Sequence, residues 1–155
     1  MSTAVAAGGG FLLAVLWMDL MFDVQVLSHR GAGGVLPEEI LASMAAYYRR
    51  VTTTARPMSH LIAAVMVLTV AGVLMQIARG REPTWVGVVS LALSLTPTAL
   101  ALLRVVPDAI RLGRRCDSPA QQSVLARAIC RHHLFCFAVI AGLVGVQIGV
   151  AVCEA

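Results

Sequence analysis

Four apolar runs, at positions 5–27, 60–78, 85–106 and 134–153, dominate the pattern of the chain, and charged residues fall almost entirely between them. Each run is about 20 residues or longer, enough for a helix rising about 1.5 Å per residue to cross a hydrocarbon core of about 30 Å. The pattern predicts an all-α integral membrane four-helix bundle forming a single transmembrane domain over positions 1–155.

The two longer connections carry structure of their own. Gly31, Gly33 and Gly34 predict a flexible joint after the first run. A short helix then follows over 37–51: Pro37 suits the first helical position, Glu38 and Glu39 the positive end, and Arg49 and Arg50 the negative end. Leu41, Met44, Tyr48 and Val51 recur at spacings of three and four, so one face is apolar. That predicts an interfacial helix, with Tyr47 and Tyr48 at the level where aromatic residues anchor to a bilayer surface. Beyond Pro107 the helical pattern of the third run continues to about Arg114. Asp117-Ser118-Pro119-Ala120-Gln121 then supplies a helix start, with Ser118 as cap, so helices three and four should extend past the bilayer as a cytoplasmic hairpin.

A hydrophobic fraction of 59% lies above the roughly 45–50% of soluble domains, which supports the membrane class. All 12 basic residues are arginine, and the formal charge is +4. The arginines border the runs and no aromatic-basic module accompanies them, so nucleic acid is not an expected partner and the lipid bilayer is. All but Arg79 and Arg81 lie on the side of the two longer connections. The positive-inside rule therefore places those connections in the cytoplasm and both termini outside, in a multi-pass protein of the cell membrane. No basic segment precedes the first run, so it is expected to be retained rather than cleaved as a signal peptide.

Polar residues inside the runs are the candidates for chemistry. Asp19 and Asp23 share one face of helix one at i, i+4, where a carboxylate at bilayer depth costs roughly 2.5–3.5 kcal/mol on insertion scales. His60, Arg104, Arg131, His132 and His133 fall at the same end of their runs, so the seven residues form a candidate ligand-binding cluster. Three uses stay open: an ion-pair lock with Arg104 or Arg131, a ligand or catalytic site, and a proton or ion path. Asp19, lying deeper, is the expected functional member and Asp23 the structural one. No helical His-x3-His or Glu-x2-His spacing is present, so no metal is expected. Nucleotide loops and haem-attachment motifs are absent, and the cofactor stays unassigned. Small residues suggest packing faces: Ala64, Ala71 and Ala78 on helix two; Gly87, Ser90, Ser94 and Thr98 on helix three, kinked at Pro97; and Gly142, Gly145 and Gly149 on helix four, a contact for a homo-oligomer. Gln147, Cys136 and His133 occupy the other side of helix four, and the pattern does not choose which side faces the bundle.

The long first connection, the short second one, and Val106-Pro107-Asp108-Ala-Ile-Arg111-Leu112 ahead of a helix with histidine at its membrane entrance resemble the anthrone oxygenase-like family of small four-helix membrane proteins. The resemblance implicates Asp108, Arg111, His132 and His133. The leading expectation is a membrane protein that binds a small hydrophobic molecule at the polar cluster. The alternatives are a cofactor-free oxygenase-like enzyme acting on an aromatic substrate, a structural or assembly protein, and an oligomeric transporter; whether the chain is an enzyme stays open.

Overall fold

A computed structural model describes residues 2–29, 34–80 and 82–153, so the joint expected at Gly31 and Gly33, and Arg30 and Arg81, lie outside the described residues. The architecture is all-α: α1 Ser2–Asp23, α2 Glu38–Arg49, α3 Arg56–Arg79, α4 Thr84–Leu100, α5 Val106–Arg114 and α6 Pro119–Cys153. Four stretches are long and apolar enough to cross a membrane: Ser2–His29, Pro57–Arg79, Thr84–Arg114 and Pro119–Cys153.

In the bundle α1 packs on α6 and α3, and α4 closes the square by packing on α6 and α3. Close approach is set by glycines. A methyl group at Gly9 would stand 2.6 Å from Val144 on α6, one at Gly8 2.5 Å from the Thr69 hydroxyl on α3, and one at Gly87 2.7 Å from Ile77. Gly87, Ser90 and Ser94 of α4 are buried as the small-residue pattern implied. The other two stripes turn away from the core. Ala64 and Ala78 are exposed while α3 buries Thr69, Val73 and Gln76, and a methyl group at Gly145 or Gly149 would meet nothing within 4 Å. The buried side of α6 is the one with His133, Cys136, Ile140, Leu143 and Gln147. Glutamine and histidine go inward because polar partners wait there, whereas a glycine face needs no partner in lipid.

At 35 residues, about 52 Å, α6 outruns the bilayer core, and α5 runs beside its projecting part. Pro107 has no N–H for the Leu103 carbonyl, and the chain answers with a wider π turn over Ala101–Val105 that carries α4 into α5. As the cap motif predicts, α6 starts at Pro119, and the Gln121 N–H bonds to the Ser118 hydroxyl at 3.3 Å.

The short helix α2 spends its apolar face on protein. Leu41, Met44 and Tyr48 join Leu112 of α5 and Ile129 of α6 in the largest buried cluster, with Val26 and Leu36 from the adjoining segments. Contact is closest at Gly113, where an added methyl group would lie 2.9 Å from the Arg49 backbone nitrogen. In front of α2, the Leu36 N–H donates to the Ser123 hydroxyl at 2.9 Å and Arg127 donates to the Gly34 carbonyl at 2.9 Å.

These contacts set a sign test. Glycine to alanine inside a helix gains up to about 1 kcal/mol from propensity, and overpacking costs typically about 1–3 kcal/mol. Gly113→Ala should therefore lower the melting temperature of the purified protein, and Gly145→Ala should leave it unchanged or raise it. Equal effects would contradict the docking of α2 on α5.

Candidate functional site

The end of α1 and the face of α2 meet through two carboxylates and two phenols. The Tyr47 hydroxyl donates to Asp19 Oδ1 and the Tyr48 hydroxyl to Asp23 Oδ1, both at 2.5 Å. On the other side of Asp23, His133 Nδ1 lies 2.6 Å from Oδ2. Asp23 is fully buried at 0% exposure, and each of its oxygens has a partner, from α2 and α6 respectively. A 2.6 Å contact to a carboxylate places the proton on Nδ1, which leaves Nε2 to face elsewhere. The ring of Tyr47 stacks on Phe22 at 4.0 Å between centroids, and it meets Tyr48 edge-on at 5.2 Å. Burial, and then the neighbouring carboxylates, push both phenols above their ordinary range, so they remain donors.

Of the seven residues expected to gather here, three do: Asp19, Asp23 and His133. His60, Arg104 and Arg131 are exposed. The expected ion pairing of the aspartates with Arg104 or Arg131 is therefore replaced by phenol and imidazole contacts. Helical geometry gives the reason: two residues turn a helix by about 200°, so burying His133 sends Arg131 outward, and burying Val105 turns Arg104 off the same face. His60 sits on the first half of α3, where none of the described side chains is buried; the buried ones of α3 begin at Thr69. His132 is half-buried, and its Nδ1 is enclosed without a hydrogen-bond partner.

Tyr47 and Tyr48 were assigned to the lipid interface by the sequence and belong to the site instead. A readable signal existed, since a buried carboxylate must find donors and Tyr48 continues the Leu41–Met44 stripe.

A second polar layer holds the opposite end of the bundle. Gln76 Nε2 lies 2.8 Å from Gln147 Oε1, 3.2 Å from the Ser2 hydroxyl and 3.1 Å from Glu82 Oε1, and Gln147 Nε2 donates to the Ser90 hydroxyl at 2.9 Å. Ser2, Gln76, Ser90 and Gln147 are all buried, one from each of the four long helices. An amide has two protons, so Gln76 makes two of its three contacts at a time. Among the described residues, no group of three or more His, Cys, Asp or Glu could hold a metal ion.

A cavity of about 340 Å³ is lined mainly by apolar side chains of α1, α3, α4 and α6, with Asp19, Tyr48 and His133 also on its wall. Asp19 borders it, whereas Asp23 is sealed behind.

The stability ranking follows from partner count. Breaking a buried charged pair costs about 3–5 kcal/mol, and an exposed charge off the network about 0.5 or less. Asp23→Asn should lower the melting temperature most, Asp19→Asn much less, and Arg104→Ala and Arg131→Ala hardly at all. A ranking led by either arginine would contradict the assignment. A second check is alkaline: phenols raised in the folded state stabilise fully below the ordinary value of 10 and lose that contribution as pH climbs toward the raised values. Wild-type protein should therefore lose stability above about pH 10 more steeply than Tyr47→Phe/Tyr48→Phe. Parallel curves would contradict the phenol contacts.

A family model described as "ER membrane protein SH3", of the SHR3 chaperone family, matches residues 2–154. No curated protein and no solved structure matches. The family match overturns the resemblance to anthrone oxygenase-like proteins. The Val106–Leu112 stretch that carried that resemblance is here the start of a projecting helix, whose Arg111 makes a two-pronged contact with Asp117 at 2.8 and 2.9 Å. It also overturns placement in the cell membrane, with the exterior as the side of the termini. Arginine bias distinguishes the two faces of a bilayer and does not say which bilayer holds the chain. With the match running nearly end to end, the chain belongs to the SHR3 chaperone family of ER membrane proteins.

Proposed function

We propose that the protein is an assembly factor of the ER membrane, holding spans of other multi-span membrane proteins until those proteins complete their own packing. The observation that carries this reading is the match of the chaperone family over residues 2–154. It favours the structural or assembly alternative over a free-standing small-molecule binder.

Physical features agree with the reading. A helix holder needs a scaffold that does not unravel and a lateral surface that a foreign helix can approach closely. One polar layer ties α1, α3, α4 and α6 together and the other ties α1 and α6 to α2, and buried polar networks that are satisfied favour one arrangement of the helices. The outward side of α6 exposes Gly142, Gly145 and Gly149, and small residues let helix backbones come close in lipid, where no hydrophobic force drives association. The same face suits a second copy of the chain, and the mass of the purified protein separates that use from a client contact.

The test is the fate of other membrane proteins. In cells lacking the protein, a subset of multi-span proteins should shift into detergent-resistant aggregates in the ER, and wild-type protein should return them to the soluble fraction. Gly145→Leu should fold normally yet restore them at least a few-fold less well. If no membrane protein changes its aggregation when the protein is removed, the reading fails.

A further inference from the structure

The cavity carries charge information that its apolar walls do not require. Asp19 and His133 both line it, and each keeps one polar atom with no hydrogen-bond partner among the described residues: Asp19 Oδ2, whose companion oxygen is taken by Tyr47, and His133 Nε2, whose companion nitrogen is taken by Asp23. The His133 side chain is only 6% exposed. The formal count is two carboxylates against one imidazole. Arg104 and Arg131, the cations nearest in sequence to the bundle end of α4 and α6, point outward. By that count the cluster is one positive charge short with the imidazole protonated and two short with it neutral, and an unmatched charge away from water is costly.

Hydrogen-bond chemistry narrows the missing group. With the Nδ1 proton committed to Asp23, a neutral His133 presents Nε2 as an acceptor, and Asp19 Oδ2 is an acceptor as well. A site with two acceptors and net negative charge calls for a cation with several N–H donors. The remaining space, walled by Leu16, Ile62, Met66, Ala101 and Ile140, accepts hydrocarbon. Against a cavity of about 150 Å³ that takes benzene, about 340 Å³ has room for roughly ten to fourteen carbons.

We propose that this cavity binds a primary alkylammonium group, its nitrogen between Asp19 Oδ2 and His133 Nε2 and its chain along the apolar walls. Two sources share this chemistry: a free long-chain amine from the bilayer, and a lysine side chain with its neighbouring apolar residues on a client's span. The site does not depend on the assembly reading, because binding is measured on the purified protein and client aggregation is measured in cells.

The experiment uses the full chain in lipid nanodiscs, with radiolabelled dodecylamine as probe and dodecanol as the neutral control of equal length. Dodecylamine should bind saturably and raise the melting temperature, and dodecanol should do neither at the same concentration. Asp19→Asn should weaken dodecylamine binding at least tenfold. Ala63→Phe, which fills the cavity from its exposed rim without touching the carboxylates, should weaken it comparably and serves if Asp19→Asn fails to fold. Source is read by competition with an apolar helical peptide bearing one central lysine or, as control, leucine. Displacement by the lysine peptide alone assigns the site to a client side chain, and displacement by neither peptide assigns it to free amine. Equal binding of amine and alcohol, or unchanged binding in Ala63→Phe, would overturn the proposal.

Discussion

The buried Asp23 carboxylate is the constraint around which the connection end of the molecule is arranged. Placed without water at the end of α1, it has to be given donors, and the two it receives come from elements that no local rule would bring there: Tyr48 on α2 and His133 on α6. Satisfying one side chain thus fixes the position of the extramembrane helix against the bundle and the rotation of α6 about its own axis. The rotation decides much else. With His133 inward, Cys136, Ile140, Leu143 and Gln147 follow it into the core, and Gly142, Gly145 and Gly149 are turned out. Gln147 then arrives at the far end facing Gln76 and Ser90.

The two aspartates share a helix face and differ in what lies beyond them. Asp23 is enclosed by protein donors on both oxygens, which suits a fixed structural tie. Asp19 has one donor, Tyr47, and borders an apolar cavity. Under the proposed amine site, tying and receiving are divided between neighbouring carboxylates one helical turn apart. The division holds because the tie at Asp23 orients the imidazole that also lines the cavity.

The helices themselves were legible from hydropathy, and so were the α2 segment, the projection of α5 and α6, and the Ser118 cap, because each follows from local spacing. Asp19, Asp23 and His133 were legible as polar residues in costly places. Their partners were not, since pairing depends on helix rotation, and a cluster drawn from residues at one depth cannot distinguish His133, which turns inward, from Arg131, which turns outward. By charge, arginine is the natural partner for a carboxylate, yet long cationic side chains reach water from a helix end at little cost and leave the interior to shorter donors. The tyrosines were misplaced for a related reason: an aromatic residue beside a membrane suits the lipid surface and a protein interior alike. The glycine stripe of α6 predicts a packing face that the bundle does not use, whereas close contacts are made by Gly8, Gly9 and Gly113, which no periodic stripe announced, and by Gly87 of the α4 stripe. The family resemblance failed because connection lengths and a short proline-containing motif are shared by unrelated four-span proteins.

The central claim is that Tyr48, Asp23 and His133 act as one unit joining α1, α2 and α6. A double-mutant cycle between Tyr48→Phe and His133→Gln, read as unfolding free energy of the purified protein in detergent, tests it most directly. The two residues share only the carboxylate between them, so the account predicts a coupling energy of about 1 kcal/mol or more. Strictly additive effects, within about 0.3 kcal/mol, would contradict it.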